Sequence, residues 1–146
     1  MPTIRNTVTI SATPDDVWAE LADMPGTRHW LPGVVSARMD GPLRVCTMAD
    51  GQEVHERISD VSEGKRSFRF DHVQVPLPVR NSGGTFTVNP GRTPATATAT
   101  VILETTFEPI DAASADQLTT AVQGAFQQSL DSLRTFVEEK VPWDVR

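Results

Sequence analysis

The sequence predicts an α+β fold built from one antiparallel sheet and one long helix. Residues near the start alternate between apolar and polar, which is the period of a half-buried strand. From residue 34 to residue 107, β-branched and alternating segments follow one another, with connections too short for crossover helices. After Pro109 the apolar period lengthens to three or four residues, which is typical of an amphipathic helix. The expected order is one strand, two short helices, six strands and one long helix.

The first strand is expected over residues 3–11, and a strong helix start follows it. Thr13 is a good N-cap, and Pro14 suits the first helical position. The two aspartates after Pro14 lie at the positive end of the helix dipole. The stretch 24–26, Met-Pro-Gly, ends this helix, and a second helical turn is expected over residues 26–31.

Six further strands are predicted between turn signals rich in glycine, proline, aspartate and asparagine. Their expected ranges are 34–39, 43–49, 52–61, 66–74, 80–89 and 96–108.

Reading alternate positions along these strands gives one mostly apolar face, which we expect to face the core. Its members are Val35, Ala37 and Met39; Leu43, Val45, Thr47 and Ala49; Val54, Glu56 and Ile58; Phe68, Phe70 and His72; Arg80, Ser82, Gly84, Phe86 and Val88; and Ala97, Ala99, Val101, Leu103, Thr105 and Phe107.

The last element is predicted to be a helix of some 25 residues, with Ser114 as its N-cap and Pro142 beyond its end. At 1.5 Å per residue such a helix is about 37 Å long, enough to cross a whole sheet.

The composition of the chain argues against several classes of protein function. The chain has 146 residues, which suits a single domain over residues 1–146. Acidic residues outnumber basic ones by 19 to 13, so nucleic acid is not an expected partner. The lone cysteine, Cys46, and the absence of a secretory signal favour a reducing cytoplasm. No apolar stretch is long enough for a membrane span.

Three segments carry a family resemblance: PDDVWAELADMPGTRHWLPGV after the first strand, DGQEVHERI, and PLPVR before the sixth strand. With the long closing helix, they resemble the polyketide cyclase/dehydrase branch of the START and Bet v 1 like superfamily. The resemblance implies a helix-grip fold, in which a seven-stranded antiparallel sheet wraps around the C-terminal helix and leaves a cavity between them. Similar proteins include cyclases, dehydratases, and lipid and hormone binders, so the fold alone does not select an activity.

Two titratable residues on the apolar face are the candidate catalytic residues. Glu56 shares its face with Val54 and Ile58, and a carboxylate buried there without a partner would favour its protonated form and suit general acid or base chemistry. The alternatives are an ion pair with a neighbouring basic side chain, or a solvated charge at the rim. His72 follows Phe70 on the same face and could exchange a proton with a ligand hydroxyl, or serve as a satisfied histidine at a strand end.

The candidate ligand contacts come from several elements. The resemblance places Trp30 at the mouth of the cavity, with fixing the short helices against the sheet as its alternative role. Arg80 could hold a carboxylate or enolate, or extend into water. Ser82 and Gly84 could widen the cavity for a ligand ring, or mark a β-bulge. Aromatic contacts are expected from Phe70, Phe86 and Phe126.

Two functions remain open at the level of the sequence, beside the alternative that side chains fill the cavity and it binds nothing. The first is binding of a small hydrophobic molecule, aromatic or polyketide-like, in the cavity. The second is a polyketide cyclase or dehydratase that uses the same residues for proton transfer. No spacing of histidine, cysteine or glycine indicates a metal or another cofactor. Both a monomer and a homodimer are compatible with the sequence.

Overall fold

A single seven-stranded sheet organises the chain, seen in a computed structural model that describes residues 3–91 and 97–146. All neighbouring strands are antiparallel, in the order β1-β7-β6-β5-β4-β3-β2. The elements are β1 (Thr3–Ile10), α1 (Pro14–Ala22), α2 (Thr27–Trp30), β2 (Val34–Asp40), β3 (Leu43–Met48), β4 (Glu53–Ser62), β5 (Ser67–Gln74), β6 (Val79–Pro90), β7 (Ala99–Pro109) and α3 (Ala115–Glu139). The predicted α+β class and element order are confirmed.

The first helix begins as its sequence predicts. Thr13 has extended backbone angles, and its Oγ1 accepts a hydrogen bond of 3.1 Å from the backbone N–H of Asp16. A 3-10 turn at Met24–Gly26 separates α1 from the single turn of α2. These short helices close one end of the core, where Val17 and Leu21 are buried.

The long helix α3 is held by the sheet that wraps around it, which gives the chain a helix-grip fold. Leu130 and Leu133 of α3 are fully buried in a core shared with Val101 and Leu103 of β7. A polar contact adds to this packing, because the Asn6 side chain donates to a backbone carbonyl of α3. None of the described helices is long and apolar enough to cross a membrane.

The start of α3 differs in detail from the prediction. Ser114 precedes the helix, but its side chain does not cap α3 and instead donates to the carbonyl of Asp111. Asp111 caps the 3-10 turn at Ala112–Ser114 by accepting from the N–H of Ala113 at 3.0 Å. The chain therefore enters α3 through this capped turn.

The inward face was predicted wrongly at one residue of β2 and along the whole of β3. In β2, a register shift after Val34 turns Val35 outward, where it is 51% exposed, whereas Ala37 and Met39 pair with Cys46 and Arg44 and keep the predicted face. In β3, the alternation places Arg44, Cys46 and Met48 on the inner face, and Leu43, Val45 and Thr47 on the other. The prediction for β3 was wrong because it assigned the apolar residues to the inner face, whereas the inner face of β3 carries an arginine.

A bulge also changes the start of β6. The register shifts between Arg80 and Gly83, and Asn81 lies in the left-handed region with φ of 53°. The extra residue turns Arg80 outward, so this side chain is exposed, while Ser82, Phe86 and the residues after them keep the predicted face. At the start of β7, Ala97 is exposed and precedes the strand, and position 96 lies outside the described residues.

Candidate functional site

A cavity of about 410 Å³ lies between the inner face of the sheet and α3. Its wall is mainly apolar, with Val54, Phe70 and Phe86 from the sheet, Trp30 from α2, and Leu118 and Phe126 from α3. Leu77, in the loop before β6, lines the cavity and is 45% exposed, so the cavity reaches the protein surface beside this loop.

Three polar side chains cross the floor of this cavity in a row. Arg44 of β3 is the cross-strand partner of Glu56 in β4, and Glu56 is the cross-strand partner of His72 in β5. Directly paired residues of neighbouring strands share a face, so the three side chains lie side by side. The row therefore follows from strand register alone, and it places a charged cluster where the rest of the wall is apolar.

Arg44 and Glu56 form a buried ion pair. The Nε of Arg44 lies 2.9 Å from Oε1 of Glu56, and the two side chains are 2% and 8% exposed. The Nη1 of Arg44 also donates to the Thr27 hydroxyl at 2.7 Å. Glu56 is buried, as its position predicted, but it is not an isolated carboxylate. The alternative in which Glu56 pairs with a neighbouring basic side chain is the one that the structure contains.

His72 connects the ion pair to β6. Its Nδ1 lies 2.7 Å from the Ser82 hydroxyl, and its Nε2 lies 3.8 Å from Oε2 of Glu56. Burial lowers the pKa of His72 below the ordinary 6.5, although the charge of Glu56 opposes this shift. His72 is therefore neutral at pH 7, with one ring nitrogen as a hydrogen-bond donor and the other as an acceptor.

Cys46 lines the cavity beside the ion pair. Its Sγ lies 3.9 Å from Oε1 of Glu56, and burial together with the Glu56 charge raises the pKa of the thiol to about 12. The thiolate is the reactive form of cysteine, so this thiol is inert at neutral pH.

Trp30 carries a donor without an acceptor. The side chain is 2% exposed, packs edge-on against Phe86 with ring centroids 6.2 Å apart, and lines the cavity. Among the described residues, no acceptor lies within hydrogen-bond distance of its buried Nε1. The Trp30 carbonyl accepts from Ser132 of α3, which anchors α2 to the long helix. Trp30 therefore packs the short helices against the core and lines the cavity, and its expected place at the mouth of the cavity stays a prediction.

The three expected aromatic contacts lie together. Phe70 contacts Phe86 and Phe126, with ring centroids 5.6 Å and 6.5 Å apart, and all three line the cavity. Their rings come from β5, β6 and α3 and form one apolar wall.

The other expected contacts are placed differently. Arg80 is exposed and lies outside the cavity lining, because the bulge in β6 reverses its direction. Ser82 lies behind His72. Gly84 does not widen the cavity: a Cβ at this position would lie 2.7 Å from Cγ2 of Thr105 and 2.9 Å from the Phe70 ring. The absence of a side chain at Gly84 lets these two groups pack against the strand.

Sequence reasoning missed Arg44, the cation that faces the cavity. It expected a basic contact from Arg80 and placed Arg44 on the outer face of β3. Across residues 3–91 and 97–146, no group of three or more histidine, cysteine or acidic side chains is placed to hold a metal ion.

The sheet, the gripping helix and the cavity between them define the class of helix-grip proteins with a ligand-sized cavity. A family model described as "Polyketide cyclase / dehydrase and lipid transport" matches residues 1–138, so the chain belongs to that family. The resemblance seen in the sequence is thereby confirmed. No match was found among curated proteins.

Solved structures share the fold at low sequence identity. XoxI from Bacillus cereus has a TM-score of 0.86 and 22% identity, covering 96% of this chain and 98% of that one. The di-domain ARO/CYC protein BexL, of the BE-7585A biosynthetic pathway, has a TM-score of 0.82 and 19% identity, covering 94% of this chain and 47% of BexL. Norcoclaurine synthase from Thalictrum flavum, in complex with dopamine and hydroxybenzaldehyde, has a TM-score of 0.71 and 16% identity, covering 94% and 87%.

Proposed function

We propose that this protein binds a small hydrophobic molecule, aromatic or polyketide-like, in the cavity between the sheet and α3. The observation that carries the proposal is the cavity itself: about 410 Å³, walled by aromatic and aliphatic side chains, with a short row of polar groups at one place. Ligand sites typically span about 300–1,000 Å³ and combine an apolar wall with a few polar groups that fix orientation.

The aromatic wall suits flat rings. Phe70, Phe86 and Phe126 surround one side of the cavity at centroid separations of 5.6 Å and 6.5 Å, which are typical of favourable aromatic pairs. A ligand ring would add to this cluster. Binding would also remove apolar surface from water, which stabilises the complex by about 25 cal/mol for each Å² that is buried.

The polar row selects an uncharged polar end on the ligand. Arg44 and Glu56 neutralise each other and His72 is neutral at pH 7, so an added carboxylate or ammonium would be buried without a counter-charge. One donor is available to bind such an end. Nη2 of Arg44 has no acceptor among the described residues, whereas Nε1 of Trp30 is enclosed by the protein. A carbonyl or hydroxyl oxygen is the group that fits Nη2 of Arg44.

A second candidate function is catalysis in the same cavity, as a polyketide cyclase or dehydratase. The supporting observation is that neutral His72 and the carboxylate of Glu56 face one cavity, 3.8 Å apart. Aldol condensation and dehydration both require a proton donor and a proton acceptor near the reacting carbon. His72 would be the proton-transfer group, because Glu56 is held by Arg44.

Mass spectrometry on the purified protein distinguishes binding from catalysis. The protein is incubated with a mixed panel of polyketides, flavonoids, fatty acids and sterols, and the retained and converted compounds are recorded. Retention of an aromatic or polyketide-like compound without conversion supports binding alone. Conversion by the wild type, absent in a folded His72→Gln variant, supports catalysis.

A cavity-filling variant locates the site. Ala125 and Thr120 of α3 are both exposed to solvent, but only Ala125 lines the cavity. We expect Ala125→Leu to weaken retention at least tenfold and Thr120→Leu to leave it unchanged. Retention by both variants at the wild-type level would show that the compound binds elsewhere.

A further inference from the structure

The Glu56 carboxylate has one oxygen that the ion pair does not use. Oε1 accepts from Nε of Arg44 at 2.9 Å, and the Cys46 Sγ lies 3.9 Å from the same oxygen. Oε2 accepts no hydrogen bond from the described residues, because Nε2 of His72 lies 3.8 Å away, beyond hydrogen-bond distance. One oxygen of a buried carboxylate therefore lacks a donor.

This second oxygen faces the ligand-sized cavity. Among the described residues, the side-chain atoms that are enclosed by protein and have no hydrogen bond are Asn6 Oδ1, Trp30 Nε1 and Thr105 Oγ1. Oε2 of Glu56 is not one of them, so part of its surface is accessible. The Glu56 side chain is 8% exposed and lines the cavity. The accessible surface of Oε2 therefore lies toward the cavity.

Nη2 of Arg44 is a donor on the neighbouring strand. The Nε and Nη1 atoms of Arg44 donate to Glu56 and Thr27, whereas Nη2 has no acceptor among the described residues and is not enclosed. Arg44 is 2% exposed and also lines the cavity. Two adjacent side chains thus present one acceptor oxygen and one donor N–H to a ligand. A ligand that displaces water from such atoms loses affinity unless it reproduces the hydrogen bonds of the water.

A hydroxyl is the smallest uncharged group that both donates and accepts. An ether or ketone oxygen accepts from Arg44 but leaves Oε2 of Glu56 without a donor. An ammonium group donates, but it would bury a second positive charge beside Arg44.

We propose that the ligand carries a hydroxyl, a phenol in an aromatic ligand, which donates to Oε2 of Glu56. Glu56 is then the residue that selects hydroxylated rings over otherwise identical rings. This inference rests on the proposed function and specifies the ligand class of the same cavity. Hydrogen bonds to a charged acceptor are stronger than those between neutral groups, so the expected preference for the hydroxyl is about tenfold or more in Kd.

Three small aromatic probes test this preference. Naphthol, methoxynaphthalene and acetylnaphthalene, substituted at the same ring carbon, share one apolar body, and only naphthol has an O–H. At pH 7 naphthol is uncharged, because phenolic hydroxyls have a pKa of about 10. Isothermal titration calorimetry with the full chain is expected to give the lowest Kd for naphthol. A crystal structure of the naphthol complex should place the hydroxyl oxygen about 2.5–3.0 Å from Oε2 of Glu56.

Glu56→Gln tests the role of the carboxylate. If the amide oxygen accepts from Arg44, the amide nitrogen takes the place of Oε2 and offers a donor instead of an acceptor. We expect the preference for naphthol over acetylnaphthalene to disappear in the folded variant. Glu53→Gln is the matched control, because Glu53 is on the same strand and pairs with His55 at 3.1 Å but lies outside the cavity lining. It should keep the wild-type preference.

The outcomes separate this inference from the proposed function. Equal affinity of the wild type for all three probes would overturn the selection by Glu56 and leave hydrophobic binding supported. A preference for naphthol that persists in folded Glu56→Gln, or a hydroxyl bound away from Oε2, would also overturn it. Binding of none of the probes would contradict the proposed function, and the selection of a hydroxyl would fall with it.

Discussion

Replacing Arg44 by methionine tests how strongly the buried ion pair determines stability. Arg44→Met leaves the Glu56 side chain, 8% exposed, without its 2.9 Å partner. The remaining polar neighbours are weak, because Cys46 Sγ is 3.9 Å away from one carboxylate oxygen and His72 Nε2 is 3.8 Å away from the other. Neither distance is that of a strong hydrogen bond. The variant therefore contains a buried and uncompensated carboxylate.

The expected cost is large. Removing one partner of a buried pair destabilises proteins by about 3–5 kcal/mol. For a chain of this size, 1 kcal/mol corresponds to roughly 3–4 °C in the melting temperature, so we expect Tm to fall by roughly 10–20 °C. Replacing both partners by apolar residues removes the unpaired charge, so Arg44→Met combined with Glu56→Leu should lie within about 1 kcal/mol of the wild type.

The assay is chemical and thermal denaturation monitored by circular dichroism, which gives the free energy of unfolding and Tm. Arg66→Met is the matched control. Arg66 also pairs with an aspartate, Asp15, at 2.8 Å, but the Asp15 side chain is 82% exposed, so we expect a cost below about 1 kcal/mol. Equal effects of Arg44→Met and Arg66→Met would refute the reasoning. A double variant as unstable as Arg44→Met would refute it as well, because the loss would then not come from the unpaired carboxylate.

Three further predictions concern single groups. Burial lowers the pKa of His72, so below pH 6.5 the unfolded chain binds a proton more readily than the folded protein does. The free energy of unfolding should therefore decline as the pH falls below 6.5, and His72→Gln should flatten this decline in thermal melts between pH 7.5 and pH 5. Cys46, with a pKa of about 12, has roughly one thiolate in 10⁴ at pH 8, so a thiol reagent should label the folded protein at least 100-fold more slowly than the denatured protein. Gly84→Ala should destabilise by about 1–3 kcal/mol in urea titrations, since its Cβ would lie 2.8 Å from the Glu104 carbonyl, whereas Gly124→Ala on the open face of α3 should stabilise by about 0.5–1 kcal/mol.

Periodicity predicted the elements because each one buries a continuous apolar face. The alternation of β1, the capped start of α1 and the helical spacing of α3 all depend on local sequence, and each appears where it was expected. Strands β4 and β5 also kept the predicted face at Glu56 and His72. The Glu56–His72 pair is the last one before a register shift at His55, and the ladder is regular from this pair to Ser59 and Arg69, so the alternation counted from Ile58 and Phe70 reaches both residues without error.

Parity failed where the ladder is irregular. An extra residue in one strand reverses the direction of every side chain on one side of it. The bulge between Arg80 and Gly83 therefore turns Arg80 away from the cavity while Ser82 stays behind His72. The positive φ of Asn81 is the local cause, and asparagine is one of the residues that tolerate this conformation. A single alternation count cannot locate such a residue, because the bulge depends on pairing with β7.

The error at β3 has a different physical origin, and the length of the hairpin turn corrects it. A prediction from the alternation of apolar residues counts every buried charge as unfavourable, so it placed Arg44 on the outer face of β3. A charge that lies opposite a countercharge can nevertheless be buried together with it. The hairpin of β3 and β4 turns through residues 49–51, where the Met48 N–H donates to the Gln52 carbonyl, and Arg44 and Glu56 lie equally far, six residues, on either side of the central Asp50. Equal distance from a tight turn makes two residues cross-strand partners on one face. An inward Glu56 therefore requires an inward Arg44, and the basic residue of the cavity follows from hairpin symmetry and charge compensation together.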